Sequence, residues 1–479
     1  MRWTWASGRA KASSTDPACN DGTALNTLGA RIVVAGTHSG VGKTTIASGL
    51  MAALRARGLR VGGAKVGPDF IDPGYHALAL GHRGTNLDPW MCGADATVAL
   101  AAQQGDSRDL LIVEGVMGLF DGAADGTLSS TADVAKLLDA PVVLVVDASS
   151  MSNSVAAVVH GYATLDARTN VAAVILNRVG SDSHEQMLRA AIEPLGIPVI
   201  GALRRDANLT WRDRHLGLVP VIEQPAEIAR ALDHVATTIE RSCDLKALVA
   251  LAQTATPRSV CPPKRPRHVA SVRIAVAGGP AFSFMYEENL ASLAAAGAEL
   301  VPFDPCSDRA LPAHCDGLIA GGGFPEVYAQ VLGDNRELLS DVRSHIRAGT
   351  TVWAECGGLL WLSERLDDTP MAGVLATRAR MTDKLTLGYR SGATTAPSPF
   401  GPAGTALRGH EFHYSRTDPT GDALRLEART GTTLGGFSHE RLLASYLHVH
   451  LGGAPGLSEA FVRAVATNAT NVSGSIAAG

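Results

Sequence analysis

Residues Arg31-Ile-Val-Val-Ala-Gly-Thr-His-Ser-Gly-Val-Gly-Lys-Thr-Thr45 run a short apolar, β-branched segment straight into a glycine-rich turn and then into Lys-Thr-Thr. That order leaves little choice of fold. The turn needs glycines so that backbone N–H groups face inward onto phosphate oxygens, with a helix N-terminus behind to favour the negative charge. Strand, turn and helix form one βα unit, which belongs in a parallel sheet covered on both faces. Gly40 and Gly42 supply the turn, Lys43 the charge for outer phosphates and Thr44 a hydroxyl for Mg²⁺; with Thr45 these are the candidate ATP-binding residues. Ile46, Leu50, Met51 and Leu54 follow at helical spacing, and Gly58 stands where a C-terminal cap belongs. The usual loop carries a glycine five residues before Gly42; here Thr37 holds that position and the glycine is Gly36.

Apolar runs at 32–35, 110–113, 142–146, 171–176 and 199–202 read as further buried strands with room for crossover helices between them. Glu114 ends one of them, at the edge where open parallel sheets bind ligands. Lys65, Asp69 and Asp72 lie in KVGPDFIDP, on a loop after residues 60–64. Thr44, Glu114 and Asp69 or Asp72 are the candidate metal ligands, since Mg²⁺ takes few carboxylates beside phosphate oxygens and water. Asp69, Asp72 and Asp121 each lie beside Pro or Gly, so turn chemistry is an equal reading for them. Asn177, after the run 171–176, is either an adenine-edge contact or a strand terminator.

A second chemistry is written at residues 351–360, TVWAECGGLL. An apolar strand leads into Cys356, then Gly357 and Gly358, then a helix, which presents a thiol on a tight turn at the strand's carboxyl edge. The loop Gly321-Gly322-Gly323 follows another strand; N–H groups of Gly322, Gly323 and Gly357 are the expected oxyanion hole. The base is expected from a late strand at 443–450, where His448 and His450 would share one face at i, i+2. His410, Glu411 and His413 form a further polar cluster without zinc spacing.

At 479 residues the chain is too long for one core. Residues 1–30 are expected as a disordered extension, 31–252 as the phosphate-binding unit, 253–271 as a Pro- and Arg-rich linker, 272–456 as a second α/β unit and 457–479 as a tail with one last helix. With 42 basic and 46 acidic residues the net charge of −4 gives no case for nucleic acid or an anionic membrane. No apolar run reaches the roughly 18 residues of a spanning helix. Seven scattered cysteines without CxxC pairing point to free thiols in a reducing cytoplasm. A homodimer is left open.

An NTP site joined to a thiol acyl-transfer site suggests ATP activation of a carboxylate and its capture by nitrogen from glutamine. The stretches THSGVGKTT, KVGPDFIDPGYH, NLDPW, EGVMGLFDG, APVVLVVDA, VILNRVGS, GGGFPEVYA, AECGGLLWL, GHEFHYS and ASYLHVH closely resemble the cobyrinic acid a,c-diamide synthase family, including its hydrogenobyrinic acid form. The resemblance implies a P-loop, dethiobiotin-synthetase-like parallel-sheet domain followed by a class I glutamine amidotransferase α/β domain. Its substrates would be a corrinoid, glutamine and ATP with Mg²⁺; Cys356 would be the nucleophile and His448 its base, with Lys65, Tyr75 and His76 facing the tetrapyrrole. Related glutaminases place a glutamate two residues after the histidine. Here that position is His450, so either the dyad suffices or another group orients the imidazole, and His450 stays the reserve base. The rival readings are a cobyric acid synthase acting on other corrin carboxylates, or a MinD/ParA-like ATPase, which would need a membrane tail or basic patch.

Overall fold

In a computed structural model, residues 24–123, 126–206, 213–214, 217–429 and 431–476 are described. Most of the extension expected at 1–30 thus lies outside the described residues. The phosphate-binding unit is a seven-stranded sheet in the order Thr85–Leu87, Val61–Val66, Leu110–Glu114, Arg31–Gly36, Val142–Asp147, Val171–Val179, Val199–Arg204. Every neighbouring pair is parallel. The five expected strands are all present. Their runs of Val, Ile and Leu are buried on both faces, one packing on helices such as Lys43–Ala56 and Pro225–Ser242, the other on Thr131–Leu138 and Ser154–Thr164. The chain crosses in opposite directions from the central strand Arg31–Gly36, and the glycine loop sits at its carboxyl end, at the switch point.

The second unit has a six-stranded sheet, Ala298–Phe303, Val272–Ala277, Gly317–Ala320, Thr351–Glu355, Leu442–Ser445, Phe437–His439. It is parallel except for its last pair. Against it lies a mainly antiparallel sheet built on the long hairpin Arg378–Thr394 with Ala406–Asp418. The single late strand expected at 443–450 is broken. Leu442–Ser445 belongs to the parallel sheet, whereas His448–Val449 pairs with Ala406–Asp418, placing His448 opposite His410. The stretch expected as linker holds a strand, Arg258–Val260, paired with Asn26–Leu28. Cys261 is disulfide-bonded, against the expectation of free thiols, while Cys92, Cys243, Cys306, Cys315 and Cys356 are free.

The two units meet through the NLDPW stretch. Asn86 N–H donates to Glu288 at 2.9 Å, Tyr389 OH donates to Asp88 at 2.8 Å, and the Trp90 and Tyr389 rings stack 4.6 Å apart. Among the described residues no helix is long and apolar enough to cross a membrane.

Candidate active sites

The phosphate loop closes where Gly42 adopts φ 97°, ahead of the helix Lys43–Ala56. A side chain there would be strained, and its Cβ would lie 2.4 Å from the Asn177 amide nitrogen. Gly40 takes φ 77° in the same turn, and Gly58, at φ 87°, follows the helix end as expected. Lys43 Nζ donates to the carbonyls of Met117 (2.6 Å) and His38 (3.1 Å), spanning the loop mouth. Burial, reinforced by Lys65, pushes its pKa down to about 8. Thr45 is buried in the first helical turn. Asn177 does not end its strand; its amide donates to Val41 O at 2.8 Å, so it buttresses the loop.

Behind the loop stands a closed polar cluster. Glu114 Oε1 accepts from Thr44 Oγ1 at 2.7 Å and Lys65 Nζ at 2.9 Å, and Glu114 Oε2 lies 2.6 Å from His76 Nε2. Lys65 also pairs with Asp72 at 2.6 Å. Burial disfavours each charge, but Asp72 and Glu114 hold Lys65 above its ordinary pKa, and Lys65 and His76 hold Glu114 below its own. Asp72, desolvated and facing Asp69 and Glu114, is pushed up instead. Two expectations change here. Asp69 Oδ1 accepts from the N–H groups of Ile71 (2.8 Å) and Asp72 (2.9 Å), which is turn chemistry. Lys65, Tyr75 and His76 are buried and bonded inward, Tyr75 to Val219 O at 2.8 Å, so none of them presents a surface to a macrocycle. Among the described residues no three His, Cys, Asp or Glu converge as a metal cage. Removing the ammonium would leave buried Asp72 without its cation and Glu114 with only Thr44 and His76. Lys65→Met is therefore expected to destabilise the fold by about 3 kcal/mol, read by urea unfolding; an unchanged midpoint would contradict this account of the cluster.

Cys356 sits between Thr351–Glu355 and the six-residue helix Gly357–Leu362 at φ 46°, a left-handed conformation that costs a non-glycine residue energy. Its N–H is bonded to Ser445 O at 2.8 Å, so the turn is anchored to the neighbouring strand. His448 is 1 % exposed and lies close enough to Cys356 and Glu355 for both to act on its charge. Burial opposes its charge, but contacts with Cys356 and Glu355 outweigh this and raise its pKa to about 10. An imidazolium against sulfur is the arrangement that favours a thiolate nucleophile. Gly322 must be glycine, since a Cβ would lie 2.4 Å from His448 Cε1. Its N–H, however, is spent on Phe284 O at 3.0 Å, which removes it from the oxyanion hole and leaves Gly323 and Gly357. His450 faces the other way. Its Nδ1 accepts from Gly452 N–H at 3.1 Å and lies 3.2 Å from Cys92 Sγ, its Nε2 lies 3.6 Å from Glu288, and burial lowers its pKa to about 4. It serves the interface between units, and the reserve role as base is withdrawn.

Two charged residues here, Glu355 and Arg390, went unremarked in the sequence. Glu355, 1 % exposed, precedes the cysteine and lies 3.6 Å from His448 Nδ1. Arg390 and Glu411 pair at 2.8 Å, close enough for Glu411 to feel the charge of His448. A further residue, Phe70, quoted only within its motif, stacks from the KVGPDFIDP loop onto Phe284 and Tyr286 with its ring 5.0 Å from that of His448.

Residues 32–219 match the model of a CobQ/CobB/MinD/ParA nucleotide binding domain, and residues 273–455 that of a CobB/CobQ-like glutamine amidotransferase domain. The chain is 46% identical over 478 residues to a hydrogenobyrinate a,c-diamide synthase of Streptomyces coelicolor, covering 91% of this chain and 98% of that protein. It is 44% identical to a protein of the same name from Thermobifida fusca (91% and 97% covered) and 41% identical to a cobyrinate a,c-diamide synthase of Synechococcus (90% and 98% covered). A nucleotide-binding unit and a glutamine amidotransferase unit, in that order and with similarity of this extent, place the chain in the cobyrinate/hydrogenobyrinate a,c-diamide synthase family.

Proposed function

We propose that the protein is a ligase that amidates the a and c acetate side chains of a cobyrinate-type corrin, using ATP and glutamine. The observation that carries this reading is the segment 65–76, which serves both sites at once. Lys65, Asp72 and His76 build the cluster behind the phosphate loop, while Phe70 rests on the histidine of the thiol site. The nucleotide work falls to residues 31–252 and the glutamine work to 272–456. A non-synthetic ATPase has no use for a buried Cys–His pair wired to its nucleotide loop.

Cys356 attacks the side-chain carbonyl carbon of glutamine after its proton has passed to His448. As the C–N bond breaks, His448 returns that proton to the leaving nitrogen, and ammonia departs from a thioester. Water, deprotonated by His448, then releases glutamate. The backbone N–H groups of Gly323 and Gly357 face the oxyanion. In the other unit a corrin carboxylate oxygen attacks the outer phosphorus of ATP and ADP leaves. Ammonia attacks the acyl phosphate carbon and phosphate leaves. Activation is needed because a carboxylate offers no leaving group better than oxide. Lys43 and the loop N–H groups from Gly40 to Thr45 offset phosphate charge during transfer. Thr44 and Glu114 bring hard oxygen atoms within 2.7 Å of each other beside the loop, so they fit Mg²⁺, which would supply further charge neutralisation. Asp72 shares the Lys65 ammonium with Glu114.

The nitrogen source is testable. Glutamine carrying heavy nitrogen in its side-chain amide is expected to label both new amides when ATP is present. Unlabelled product from free ammonium, with glutamine left intact, would refute the glutaminase half.

A further inference from the structure

We propose that Glu355 is the positioning residue of the thiol site, orienting His448 from the strand side in place of the carboxylate that related glutaminases carry two residues after the histidine. This rests on the reading of Cys356 and His448 given above. The imidazole is buried, and its Nδ1 has no hydrogen-bond partner among the described residues. A buried ring N–H in that condition is costly. Glu355 Oε2 lies 3.6 Å away, just beyond hydrogen-bond length, and catalytic hydrogen bonds without substrate are commonly long. Glu355 Oε1 is already fixed, accepting the N–H of Val449 at 2.9 Å. One carboxylate therefore holds the backbone next to His448 with one oxygen and faces its ring with the other.

Among the described residues no other acceptor competes for this place. Around the ring stand Phe70 at 5.0 Å and His410 at 6.0 Å between centroids, with the Gly322 backbone against Cε1. The charged and titratable groups that reach His448 are Cys356, Glu355, His410, His413 and Glu411. Arg390 and Glu411 bond to each other, and His413 is stacked on Tyr446. The position two residues after the histidine is occupied by His450, which is turned toward Cys92 and Glu288. With Nδ1–H held toward Glu355, Nε2 is the nitrogen left to take the thiol proton. Glu355 itself gains no proton in the reaction; it fixes the tautomer and stabilises the imidazolium.

The test is Glu355→Gln in the full-length enzyme, with glutaminase and ammonium-supported synthesis assayed in parallel. The amide oxygen can still accept from Val449, but its NH₂ would face Nδ1 and favour the wrong tautomer. The glutaminase kcat is expected to fall by about 10²-fold or more with KM for glutamine little changed. The alkaline limb of its pH profile is expected to move to lower pH, because the imidazolium has lost its anion. Ammonium-supported synthesis, run at the other site, reports an intact fold. Glu355→Asp, which keeps the charge, is expected to recover part of the rate and return the limb toward wild type. Wild-type glutaminase kinetics in the Gln variant, or a fallen rate with an unmoved limb, would overturn the proposal. So would an Asp variant no better than Gln. If instead Cys356→Ala left glutaminase activity untouched, the underlying reading of the thiol site would fail, which is a distinct result.

Discussion

Cys356→Ala is expected to lower glutamine-supported amidation by about 10³-fold or more while ammonium-supported amidation continues near the wild-type rate. The loss is large because nothing beside the sulfur can replace it; His448 is a base with no nucleophile to activate. The sparing of the ammonium reaction follows from geometry. Cys356 lies at the carboxyl edge of one sheet and Lys43 at that of another, and among the described residues none bonded to the phosphate loop is bonded to Cys356. The substitution also removes little packing, since the turn is held by backbone bonds to Ser445 and Gly321. Loss of both reactions together would defeat the two-site account.

Lys43→Ala is expected to abolish amidation from either nitrogen source, by about 10²- to 10³-fold or more in kcat. Its ammonium stands at the loop mouth between Met117 O and His38 O, and Lys65, fixed to Glu114 and Asp72, cannot take its place. Glutamine hydrolysis by this variant is the control. Surviving ammonium-driven synthesis would show that the phosphate loop has another use.

Much of this was legible because both units end a buried apolar strand in chemistry. The central strand of the first unit runs into glycine turns, and the run 110–113 ends in Glu114. The same criterion applied to TVWAE selects Glu355, an ionisable side chain closing an otherwise apolar buried strand. The neighbouring cysteine drew the attention instead. The late strand misled because ASYLHVH is apolar enough to read as one element, whereas the chain changes sheets between Ser445 and His448. Tyr75 and His76 were expected to face the tetrapyrrole. They face inward because their partners, Val219 and Glu114, are distant in sequence, and no local spacing encodes that. The hairpin 378–418 was missed for a different reason: one half-exposed polar face hides the alternation.

The most direct measurement is the mass of the corrinoid recovered after incubation with ATP, Mg²⁺ and glutamine, with cobyrinate and hydrogenobyrinate tested side by side. Two acid-to-amide conversions on one of these substrates are expected, and the substrate that reacts settles whether cobalt is already in place. Unchanged mass for both, with ATP hydrolysis intact, would contradict the account and move the search to a different carboxylate.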